Sequence, residues 1–100
     1  MAGKLIMTWD ISPDNEQEYF EFVVREFIPD VQKLGFQLSD AWMTVYGEHP
    51  QILVGAVVPS IEAIQDIIGS KRWQDLIEKL LGFVTNFNAK IVKSSGSFQF

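Results

Sequence analysis

Residues 38–60 constrain the fold more than any other stretch. Two runs rich in β-branched and aromatic residues, Ala41-Trp42-Met43-Thr44-Val45-Tyr46 and Ile52-Leu53-Val54-Gly55-Ala56-Val57-Val58, are separated by Gly47-Glu48-His49-Pro50. A short link containing Gly and Pro between such runs predicts a β-hairpin. Around it the chain is close to symmetric in kind, with a strand and a helix before it and a helix and a strand after it.

The first strand is expected over Leu5–Ile11, with Leu5, Met7, Trp9 and Ile11 on one face and Lys4, Ile6, Thr8 and Asp10 on the other. Ser12-Pro13 suits an N-cap followed by proline at the first helical position, and Glu16 and Glu18 fall where the helix dipole favours acids. Phe20, Val23, Val24, Phe27, Val31 and Leu34 recur at three- and four-residue steps and predict a helix to about Lys33. Tyr19, Phe22 and Ile28 fall beside that stripe. Pro29 removes a backbone donor and clashes with the preceding turn, so a kink or break is expected near Phe27-Ile28. Gly35 ends the helix.

After the hairpin, Ser60 is expected to cap a helix carrying Ile61, Ile64, Ile67 and Ile68. Gly69-Ser70 interrupts it, and Ser70 caps a second helix carrying Trp73, Leu76, Ile77, Leu80 and Leu81. Asn86-Phe87-Asn88 reads as a turn before a last strand over Ala89–Lys93. The order is β-α-β-β-α-β, an α+β ferredoxin-like domain with an antiparallel four-stranded sheet. Its 100 residues leave room for one domain, here 1–93, and 94–100 form a Ser/Gly-tethered tail ending Phe98-Gln99-Phe100, which reads either as an added strand or as a frayed end.

In the third strand Ile52, Val54, Ala56 and Val58 oppose Leu53, Gly55 and Val57, so both faces are apolar, and the first strand leans the same way. A sheet with one face in water alternates apolar with polar residues. Helices cover one face; the other calls for a second cover. Composition sharpens the point, since 47% of the residues are hydrophobic and 21% charged. A chain this short has a thin core and gains from association.

Charge narrows the partners. The net charge is −5, and the eight Lys and Arg residues are scattered apart from Lys71-Arg72. Neither nucleic acid nor an anionic membrane is an expected partner. With no cysteine there is no disulfide framework and no thiolate chemistry. Met1-Ala2-Gly3-Lys4 leads into a short strand without a signal-type apolar stretch, and no apolar run approaches the roughly 20 residues that span a bilayer. A cytoplasmic protein is expected.

The layout resembles the dimeric α/β-barrel superfamily, and within it the small NIPSNAP-like and EthD-like proteins. The residues that carry the likeness are Leu5–Ile11, the aromatic helix interrupted at Phe27-Ile28-Pro29, and Leu34-Gly35-Phe36. Ile61-Glu62-Ala63-Ile64, Ser70 to Leu76, Ala89-Lys90-Ile91-Val92 and Phe98-Gln99 complete it. The resemblance implies a homodimer in which two sheets close a barrel with helices outside, and a cavity between sheet and helices. Its members include cofactor-independent monooxygenases, haem-degrading enzymes, chlorite dismutase relatives and ligand-sensing modules. The haem-binding branch uses a histidine late in the second helical region, and residues 61–86 contain none.

Candidate chemistry is sparse. His49, the single histidine, falls at the expected hairpin tip and lacks partners for a metal. Ser12, Ser60 and Ser70 sit where caps belong. There is no Gly-rich phosphate loop, paired-carboxylate motif or metal-ligand spacing, so no cofactor is expected. Three tryptophans in so small a core are the best lead. An indole offers a broad apolar wall and one N–H donor, which suits a flat organic ligand. Trp9, Trp42, Tyr46 and Trp73 are therefore the pocket candidates, with Asp10 and Asp40 as rim candidates; plain core packing is the competing explanation for each. Three functions follow: a small apolar or aromatic ligand bound without catalysis, cofactor-independent oxygenation of an aromatic or quinol substrate, or a protein-interaction module without a cavity.

Overall fold

A computed structural model describes residues 2–46 and 49–93, and the side chains of residues 40, 42–46 and 49–50 lie outside what it describes. Strands β1 (Gly3–Ile11), β2 (Gln37–Tyr46), β3 (His49–Val58) and β4 (Val84–Lys93) form one sheet in the order β2-β3-β1-β4. All neighbours are antiparallel. With the helices between β1 and β2 and between β3 and β4, this is the ferredoxin-like α+β arrangement expected from the sequence.

The helices cover one face. Leu5, Met7, Trp9 and Ile11 of β1 are buried there with Val54, Ala56 and Val58 of β3. Gly3 opens β1 two residues before the expected start, paired with Val58 and Lys93, and α3 (Ile61–Ile68) packs directly on it. A Cβ at that position would lie 2.7 Å from Ile64 Cδ1. On the opposite face Ile6 pairs with Gly55 and Thr8 with Leu53, and Ile6, Thr8, Leu53 and Val57 remain half-buried. Among the described residues no helix is long and apolar enough to cross a membrane.

The first helical region departs from its expected phase. A short 3-10 turn, Pro13–Asn15, leads into α1 (Glu16–Phe22), a π turn (Val23–Phe27) and α2 (Ile28–Lys33). The Ile28 N–H donates to the Val23 carbonyl, five residues back. Such a turn holds one extra residue, so the face before it rotates by about 100° relative to the face after it. The buried stripe is therefore Tyr19, Phe22, Phe27 and Val31, while Phe20 is 43% and Val24 65% exposed. The strict α period had assigned Phe20 and Val24 to the core. Pro29 does not break the helix. It follows a widened turn, and its missing N–H is accommodated there. Ser12 makes no side-chain cap; its N–H donates to the Phe83 carbonyl and its own carbonyl accepts from Asn15.

The remaining ends follow local chemistry. Phe36 N–H reaches the Val31 carbonyl and Gly35 N–H the Gln32 carbonyl, with Gly35 at φ 112°, a conformation that favours glycine. Ser60 Oγ accepts from Ala63 N–H and Ser70 Oγ from Trp73 N–H, dividing α3 from α4 (Lys71–Leu81) at Gly69 as expected. Lys79 Nζ meets Glu26 Oε1 at 2.9 Å, tying α4 to the π turn. Asn86-Phe87-Asn88 is not a turn. It lies inside β4, where Thr8 pairs with Asn88 but Asp10 with Thr85, leaving one extra residue on β4. Asn86, at φ 55°, absorbs this bulge, since asparagine tolerates the left-handed region. The hairpin also tightens: His49 pairs with Tyr46 and Pro50 with Val45, so both belong to β3 rather than to a tip.

Candidate functional site

Two tryptophans reach the helix-covered side by different routes. Trp9 alternates inward on β1 and is 1% exposed. Its Nε1–H donates to Tyr19 Oη at 2.8 Å, which satisfies the one polar atom of the indole. Phe27 meets the ring edge-on at 5.8 Å and Phe87 stacks on it at 6.0 Å. Burial raises the Tyr19 pKa, with the Trp9 hydrogen bond opposing that effect, so the phenol stays protonated at neutral pH. Phe22 extends the cluster, stacking on Phe83 at 5.3 Å.

Trp73 arrives in the first turn of α4, positioned by the Ser70 cap, and packs against Phe36 at 5.6 Å. Beside it a cleft of about 290 Å³ opens between the edge strand β4 and the α3–α4 pair. Ile68, Trp73 and Ile77 form the helical wall. Leu5, Phe87, Ala89, Lys90 and Ile91 form the sheet side. The β4 bulge lies next to Phe87, so the same irregularity that re-aims the strand sets a ring between Trp9 and the cleft.

Of the residues singled out from sequence, Trp73 lines this cleft and Trp9 lies behind Phe87, away from its surface. Trp42 stands opposite Leu53 and Tyr46 opposite His49 in the ladder, and their side chains, like that of Asp40, lie outside the described residues. Asp10 sits at the end of β1, where its Oδ2 accepts from Asn86 Nδ2 at 2.8 Å across the bulge. Ser60 and Ser70 are engaged as caps. Among the described residues no cluster of His, Asp and Glu could hold a metal ion. Sequence reasoning missed Phe87, because the expected turn at Asn86-Phe87-Asn88 hid its place in β4, and passed over Ala89 and Lys90, which lay in the expected strand but carry no pocket signal of their own.

Comparison with known proteins bears on the fold. No family model matches the sequence and no curated protein matches it. Solved structures do. A NIPSNAP family protein from Agrobacterium tumefaciens superposes with a TM-score of 0.70 at 19% identity, over 96% of this chain and 95% of that one. An uncharacterised NIPSNAP-like domain protein from Burkholderia xenovorans gives 0.69 at 17% identity, over 98% and 90%. This chain has the NIPSNAP-like ferredoxin fold. A protein from Nitrosomonas europaea, whose proposed activity is that of an antibiotic biosynthesis monooxygenase, also matches, at 0.70 and 6% identity over 95% and 91%. At such identities the NIPSNAP-like likeness extends to architecture, and function must be argued from the site.

Proposed function

We propose that the protein binds a small apolar or aromatic molecule in the cleft beside Trp73, as a homodimeric α/β-barrel protein of the cytoplasm. The cleft itself supports this most: an aromatic and aliphatic lining with few polar groups is how small-molecule sites are built. The half-buried Ile6, Leu53 and Val57 on the uncovered sheet face support the second half of the reading, since a second copy set against them removes that apolar surface from water.

Ala89 gives a direct test. It is exposed on β4, opposite Met7, and lines the cleft. Ala89→Phe should fill the space and abolish binding of flat aromatic probes followed by amide chemical-shift mapping, with the fold unchanged. Shifts that persist in the variant, or that map away from Trp73 and Ile77, would refute the site. Native mass spectrometry tests the dimer: an intact monomer at micromolar concentration is the adverse result.

A second reading, oxygenation of an oxidisable aromatic, draws support from the sparse chemistry of the same lining, which leaves the substrate to carry the reaction. Oxygen uptake with quinol substrates, lost in Ala89→Phe, would favour it over binding alone.

A further inference from the structure

The π turn does two things to the first helical region. It brings Tyr19 inward to the Trp9 N–H, and it leaves Phe20 and Val24 on the outside. The inward half of that rotation serves the core. The outward half does not, since an exposed apolar pair contributes little burial. Turns of this kind are rare within helices and collect at functional sites. Phe20 and Val24 are one helical turn apart and share a face. They are two of the three large hydrophobic side chains exposed among the described residues, the third being Leu81 at the end of α4. The Phe20 ring stands edge-on to Tyr19 at 5.1 Å, and the Tyr19 hydroxyl is itself held by Trp9, so the ring is a pre-positioned knob.

The surroundings are acidic. Exposed Glu16 precedes Phe20 by four residues and exposed Glu21 precedes Val24 by three, so each carboxylate neighbours one of the pair. Residues 13–33 hold six of the 13 acidic residues and two of the eight basic ones, which gives the segment a net −4 of the molecule's −5. That charge decides the occupant. A second copy would set one acidic helix against another, and like charges in contact are costly. An anionic lipid surface is repelled in the same way. Residues 94–100 contain no Lys or Arg, so the chain's own tail gains nothing from the carboxylates. A cationic amphipathic helix meets both requirements, with apolar side chains against Phe20 and Val24 and Lys or Arg reaching Glu16 and Glu21. We infer that the outward face of α1 and the π turn docks a basic amphipathic helix of a partner protein. This surface shares no residue with the cleft and is independent of what the cleft binds. The competing explanation is that the pair is exposed only as a by-product of seating Tyr19 on Trp9.

Amide chemical-shift titration with three synthetic peptides separates the two. One carries Leu at helical spacing flanked by Lys, the second has Ser in place of each Leu, and the third has Glu in place of each Lys. The Leu/Lys peptide should shift amides between Glu16 and Ile28 and leave those of Trp73 and Ile77 in place. Phe20→Ser combined with Val24→Ser should weaken it about tenfold or more, the scale of central apolar anchors. Glu16→Gln combined with Glu21→Gln should weaken it about two- to fivefold, an effect that added salt reproduces. If the apolar double variant loses stability, Val24→Ser alone, at the more exposed of the two positions, gives the same reading. Shifts that map elsewhere, or that survive the loss of the apolar side chains, overturn the site, as does the absence of any shift. Equal binding of the Ser/Lys peptide would reduce the effect to bulk attraction between charges, and equal binding of the Leu/Glu peptide would remove the charge selection; either overturns the inference. Shifts at Phe20 and Val24 on raising the protein concentration alone would assign the face to a second copy and overturn it as well.

Discussion

Trp9 and Trp73 are the same residue in two different situations. Trp9 has its N–H occupied by Tyr19 and aromatic rings on its edge and its face, and is 1% exposed. Trp73 is 7% exposed and borders open space at the start of α4. The difference comes from the elements that hold them. A central strand surrounds a side chain with neighbours on both sides, whereas the first turn of a helix beside an edge strand leaves one side vacant. An abundance of tryptophan in a small chain is therefore no measure of a binding site. What matters is which ring lacks a neighbour.

The sharpest way to break this comparison is to truncate both. Trp9→Ala should cost about 4 kcal/mol, near the upper range for buried aromatic truncation, because the surrounding rings cannot collapse into the space. Trp73→Ala should cost less, about 2–3 kcal/mol, since an existing cleft relaxes more readily than a closed core. Urea denaturation midpoints measure both, and equal losses would contradict the contrast. A second pair tests the register that brings Tyr19 to Trp9. Phe22→Ala should destabilise by about 3 kcal/mol and Phe20→Ala by under about 1 kcal/mol. The reverse order would restore the uninterrupted α-helical stripe.

The smallest effect belongs to the hydrogen bond. Tyr19→Phe leaves the buried indole N–H without an acceptor and should cost about 1–2 kcal/mol at neutral pH. Titration adds a sign. The Tyr19 pKa is raised above its usual 10.0 by burial, so folding favours the neutral phenol. That contribution is fully present below pH 10 and is lost as pH rises through the folded-state value. Wild type should accordingly lose stability in mild alkali faster than Tyr19→Phe, read as the change in denaturation midpoint between neutral and alkaline buffer.

Much of the architecture was legible in the sequence. The hairpin, the inward face of β1, the Gly35 helix end, and the division of the second helical region at Gly69-Ser70 all follow from local chemistry and periodicity. The failures share a cause. The π turn at Val23–Phe27 and the bulge at Asn86 each insert one residue into an otherwise regular element, and a fixed period cannot register an insertion. Both are settled by packing between distant segments: the Trp9–Tyr19 bond for the first, and the seating of Phe87 on Trp9 for the second. The cleft inherited that blindness. Trp73 was visible because a tryptophan at a helix start stands out, whereas Phe87 acquires meaning only once β4 is known to run from Val84, and Ala89 only once α3 and α4 are seen to leave a space over it.

The π turn also bears on how this chain is compared with others. Aligned against a relative whose first helix is α throughout, it requires a gap within the helix, between Phe22 and Ile28. A ruler that forbids gaps inside helices would shift every position from Glu16 to Phe22 by one, setting the exposed Phe20 against the relative's counterpart of Tyr19. Identity counted that way understates the likeness in the segment where the aromatic residues are densest. Superposition of backbones is immune to the error, because it pairs positions by where they lie and not by how many residues precede them.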